Sequence, residues 1–108
     1  MMKQSTTFEL DKKYTFDYFF HYWMKKNEIK MDYLISACQL NSYTAGISES
    51  RVYKLTRGIA KPDPDEMHLL LSIIGIPYNE YESFMRSRGY YLRIAAGEKP
   101  EEIGDPPS

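Results

Sequence analysis

This sequence offers almost nothing with which to form a disulfide, hold a metal or enter a membrane. It contains a single cysteine, Cys38, so no internal disulfide can form. Its two histidines, His21 and His68, share no zinc-ligand spacing with that cysteine. No run approaches the roughly 18–20 apolar residues needed to span a bilayer. The opening MMKQSTTFELDKK also lacks the apolar centre of a secretory signal. The chain is therefore expected to act in the cytoplasm, with no metal, no cofactor and no membrane partner. Catalytic signatures are missing as well: there is no glycine-rich phosphate loop, and neither histidine accompanies a nucleophile pattern. No enzymatic activity and no catalytic residue are expected. His21 reads as a surface or boundary aromatic, and Cys38 as a small core residue.

What is present describes one small folded unit. A chain of 108 residues can bury one core and has no room for a second. Apolar residues make up 43% and charged residues 27%, the balance of a globular domain and not of a disordered tail. The net charge of −1 conceals an uneven distribution. Residues 1–61 hold ten Lys or Arg against six Asp or Glu, whereas residues 62–108 hold four against nine. A basic half is thus masked by an acidic one, and the distribution bears on a nucleic-acid partner more than the total does.

Hydrophobic periodicity divides the chain into helices. Phe16, Phe19, Phe20 and Trp23 repeat at the spacing of one helical face and mark a first helix. Met31, Leu34, Ile35 and Cys38 mark a second. The segment NSYTAG, residues 41–46, gathers turn formers and is expected to reverse the chain, by a loop or after a longer second helix. Ser48 is placed to cap a third helix with Glu49 in its first turn, Val52 and Leu55 on its buried side and Gly58 at its end. The strongest signal is DPDE, residues 63–66: Asp63 as N-cap, Pro64 in the first turn and Glu66 closing a capping box. The fourth helix that follows turns Met67, Leu70, Leu71 and Ile74 inward and stops at Gly75. A fifth, over about residues 78–88, buries Tyr81, Phe84 and Met85 and is expected to end near Gly89. RGYYLRI, residues 88–94, fits either an extended segment or a continuation of that helix. From Gly97 onward the chain is acidic, rich in Pro and Gly and expected to be disordered. No strand pattern competes.

Residues 46–76, GISESRVYKLTRGIAKPDPDEMHLLLSIIGI, resemble the second half of a lambda-repressor or Cro-type (XRE-like) helix-turn-helix domain. The match comprises a Gly-Ile-Ser entry, a recognition helix ending in Arg-Gly, a basic connector with proline and an amphipathic helix stopped by glycine. The resemblance implies an all-α, five-helix DNA-binding fold: an arm over residues 1–15, a helix-turn-helix domain over 16–96 and a flexible tail over 97–108. It implies that the third helix enters the major groove of double-stranded DNA. Carried onto this chain, it makes Glu49, Ser50, Tyr53 and Lys54 candidates for reading bases, after Ser48 at the cap, and Arg51, Arg57 and Lys61 candidates for phosphates. Each of these charges has an ordinary alternative as a solvated surface group, and for Glu49 that alternative is helix capping. One departure stands out: Leu34 lies 24 residues before Gly58, a longer connection than the resemblance implies.

The ten tyrosines are a further signature, because tyrosine buries a large ring while keeping its hydroxyl hydrogen-bonded. Tyr78, Tyr81, Tyr90, Tyr91 and Leu92 are expected to form a homodimer interface, which would set two recognition helices about 34 Å apart. The expected function is a sequence-specific transcriptional regulator, a repressor working as a dimer. The alternative is a phage- or plasmid-type protein-interaction module on the same fold, antitoxin-like or blocking a host factor through its acidic half.

Overall fold

A single turn of 3-10 helix over Lys12–Tyr14 hands the chain to α1 (Phe16–Lys26), whose first turn is capped by the Thr15 hydroxyl accepting from the Tyr18 amide at 3.2 Å. In this computed structural model, which describes residues 10–40 and 47–107, α2 (Met31–Leu40), α3 (Glu49–Thr56), α4 (Pro64–Ile74), α5 (Tyr78–Ala95) and a short α6 (Pro100–Ile103) follow. The protein is all-helical, with no strand among the described residues. The expected reversal at NSYTAG lies outside the described residues, as do residues 1–9 of the expected arm.

The four expected amphipathic faces of α1 to α4 converge on one core. Phe20, Leu34, Val52, Leu55, Leu70 and Ile74 are almost wholly shielded from solvent, and Phe19, Trp23, Met24, Met67 and Leu71 lie beside them. Helix α2 packs on α3 and α4, and α1 packs on α3. The Ile47 amide, just before α3, donates to the Cys38 carbonyl at 3.4 Å. Cys38 is buried there, as expected, and burial pushes its thiol up to about 11.

The ends of the helices follow their capping chemistry. Asp63 and Glu66 form the full capping box at the start of α4, with Pro64 in the first turn. Gly75 ends α4 in the left-handed region, at φ +83°, and Gly58 takes the same region after α3, at φ +75°. The Asn27 side chain at the end of α1 donates to the Ile74 and Gly75 carbonyls at 2.9 and 3.0 Å, satisfying acceptors that α4 leaves open.

The expected end of the fifth helix near Gly89 is corrected: α5 runs to Ala95, so residues 88–94 prolong it. Long-range contacts outweigh the helix-weakening effect of one glycine. The Tyr91 ring stacks on Tyr14 at 4.4 Å, and the Arg88 guanidinium donates to the Tyr14 carbonyl at 2.8 Å while lying 4.6 Å from the Phe16 ring. The proximal half of α5 is held by Phe84, whose ring stacks on Phe19 at 4.1 Å. The segment from Gly97, expected to be disordered, contains the single turn α6.

Candidate nucleic-acid interface

The rotation of α3 is set by what it buries. Val52, Leu55 and Thr56 are fully shielded, and the Thr56 hydroxyl donates to the Val52 carbonyl at 2.9 Å, so the buried polar atom is satisfied. Ser48 caps the helix as expected, accepting from the Arg51 amide at 3.2 Å. With that side fixed, Ser48, Glu49, Ser50 and Lys54 are exposed, and Arg57 and Lys61 are exposed just beyond the helix. Tyr53 is half-buried at the edge of the core, with the Arg57 guanidinium 5.0 Å above its ring. Short polar groups at the start of α3 and cations at its end thus occupy the side away from the core.

Arg51 stands apart from this set. Its Nε and Nη2 donate to the two carboxylate oxygens of Glu66 at 2.9 and 2.7 Å, and Nη2 lies 3.4 Å from the Lys61 carbonyl. The hydrogen bond from Arg51 holds the Glu66 carboxyl below the usual glutamate range and raises Arg51 in turn. Glu66 therefore does two jobs, closing the α4 cap and tying α3 to α4, and the charge of Arg51 is already met within the chain. A carboxylate fifteen residues away cannot be assigned to an arginine from spacing alone.

The cationic surface extends beyond α3 and the connector that follows it. Lys12, His21, Lys25 and Arg57 line a groove of about 550 Å³ between the 3-10 turn, α1 and the end of α3. Asp17, also in the groove, faces His21 Nδ1 at 3.1 Å. These groups come from separate elements, and no local motif connects them.

The five tyrosine and leucine candidates for a dimer interface are spread along α5, with the Tyr78 and Tyr81 rings 5.8 Å apart. Tyr81 packs against the core beside Phe19, and Tyr91 stacks on Tyr14 with Tyr90 set edge-on at 4.9 Å. Tyr78 and Leu92 are 63% and 42% exposed, and they lie fourteen residues apart, close to four turns, so they share one side of α5.

Comparison with protein-family models, with curated proteins and with solved structures returns no match. Among the described residues no helix is long and apolar enough to cross a membrane.

Proposed function

We propose that the protein is a sequence-specific DNA-binding regulator, a repressor, that inserts the exposed side of α3 into the major groove of a DNA duplex. The observation that carries this reading is the division of α3 into a fully buried side, Val52, Leu55 and Thr56, and an exposed side bearing Ser50 and Lys54 with Arg57 beyond it. A helix that serves packing on one side and offers hydrogen-bonding groups on the other meets the requirement for groove reading. Ser50, Tyr53 and Lys54 are the base-reading groups, and Arg57 and Lys61 contact phosphates. Glu49 stabilises the first turn, and Arg51 positions α3 against α4. No catalytic step is part of this activity.

One recognition helix covers too few base pairs to compete with the nonspecific sites of a genome, so the working unit is a homodimer. Tyr78 and Leu92 are the side chains on α5 that are free to pair.

Selection of bound duplexes from a random pool, followed by gel shift with the intact protein, tests the reading. A single preferred site is expected, with a log-log salt slope of about −2 to −3 per subunit for two to three neutralised phosphates. Replacing Arg57 by Ala should weaken all duplexes alike and reduce the slope by about one, whereas replacing Lys54 by Ala should change the preferred sequence. No enrichment, or enrichment indifferent to both substitutions, would defeat it.

A second reading, a protein-interaction module, draws on a cleft of about 460 Å³ lined by Met67, Leu71, Tyr78 and Tyr81. It would be favoured if the duplex selection failed.

A further inference from the structure

Helix α1 carries a surface that, apart from Arg57 at its edge, duplex reading by α3 does not use. Tyr18 and Tyr22, one turn apart and each 48% exposed, stack on one another with centroids 6.1 Å apart and ring planes within 18°. They form a ridge shared by two grooves. The first, of about 550 Å³, contains Lys12, Lys25 and Arg57; the second, of about 360 Å³, contains Lys13 and Lys26. Lys26 Nζ lies 4.7 Å from the Trp23 ring and 5.9 Å from that of Tyr22, so the second groove also pairs a cation with aromatic faces. Of the two acids in these grooves, Asp17 is turned to His21 at 3.1 Å, and Glu80 stands in the second.

Exposed rings flanked on both sides by lysines provide two complementary contacts: flat faces for unpaired bases and cations for the phosphodiester chain that links them. We propose that this ridge binds single-stranded nucleic acid, with bases stacked on Tyr18 and Tyr22 and phosphates lying along the lysine-lined grooves. A duplex fits less well, because its bases are stacked on each other and it would set charged backbone against the tyrosine faces. An acidic peptide would match the lysines but leave the ring faces without a flat partner. Each groove has the size of a small-molecule site, enough for a nucleotide unit. Arg57 borders both surfaces, but the site does not depend on the α3 reading.

The test is fluorescence anisotropy of the intact protein with a labelled oligothymidylate of about twelve nucleotides, a probe without self-pairing and within the usual site sizes. Binding at low salt is expected, with a log-log salt slope of about −2 for three phosphates. The pair Tyr18→Ala and Tyr22→Ala should weaken binding at least tenfold without altering the slope, while Tyr18→Phe with Tyr22→Phe should retain it. Lys12→Gln with Lys25→Gln, which leaves the rings in place, should reduce the slope by about 1.4. Lys54→Ala should leave oligothymidylate binding unchanged, so failure here is separable from failure of the duplex reading. The proposal is overturned by absence of binding at low salt, or by affinity that survives loss of both rings in a protein with unchanged helical circular dichroism. It is equally overturned if polyglutamate or a duplex of the same length competes as well as unlabelled oligothymidylate, which would reassign the ridge to an acidic peptide or to double-stranded DNA.

Discussion

Helix α1 buries five of its eleven residues, whereas α5, at eighteen residues the longest helix, buries one. Helix α1 is the richer in aromatics, with six in eleven residues against five in eighteen, and its position adds to the difference. Helix α1 is covered by α3, by the proximal half of α5 and by the 3-10 turn, and its Phe20 is completely enclosed. The distal half of α5 rests on the Tyr14–Tyr91 stack and on Arg88, and then leaves the core. The same contrast appears in the ion pairs. Glu66, which receives Arg51, is 13% exposed, whereas Arg93 and Glu98 beyond the core are 53% and 38% exposed. Folding energy is therefore concentrated in α1–α4, the part that orients α3, and the distal α5 is a lightly attached extension.

The largest expected effect separates these regions directly. Replacing Phe20 by Ala should cost about 3–5 kcal/mol in urea unfolding, a large share of the stability of a domain this size. Replacing Leu92 by Ala should cost under about 0.5 kcal/mol. Comparable losses would erase the distinction. A smaller effect is expected at the junction of α1 and α4: Gly75→Ala should cost about 1–2 kcal/mol. Its φ is +83°, and a Cβ there would lie 3.2 Å from the Asn27 amide nitrogen.

Acid should reveal the α3–α4 tie. The folded carboxyl of Glu66 titrates below its unfolded counterpart because Arg51 donates to it. Its stabilisation is thus complete above the ordinary glutamate range and is lost as the pH falls through the folded value. Unfolding midpoints at pH 7 and near pH 3 should differ less in Glu66→Gln than in the parent, and an equal difference would mean that Glu66 carries none of the acid sensitivity. The smallest effect is expected at Arg93→Ala, whose exposed pair with Glu98 is screened by solvent and should leave the midpoint unchanged.

The elements most visible in the sequence were those with local chemistry. DPDE announces the α4 cap because both partners of the box lie three residues apart, and the Phe16, Phe19, Phe20 and Trp23 spacing announces the buried side of α1. The continuation of α5 past Gly89 was not decidable, since it depends on Arg88 reaching a carbonyl 74 residues earlier. The role of Asn27 was missed for the same reason: its acceptors lie 47 and 48 residues away. At the candidate interface the exposed set on α3 could be named from the sequence, but the capture of Arg51 by Glu66 and the groove joining Lys12, Lys25 and Arg57 arise from tertiary packing alone. Clustering of tyrosines along the chain likewise did not reveal that Tyr81 packs against the core and that Tyr91 stacks on Tyr14.

The proposed meeting of the exposed side of α3 with duplex DNA is open to direct mapping. Backbone amide chemical-shift mapping of the intact protein, titrated with the duplex recovered by selection, tests it most directly. The largest shifts are expected at Ser50, Lys54 and Arg57. Shifts confined to the α4–α5 cleft around Met67 and Tyr78, with none along α3, would contradict it.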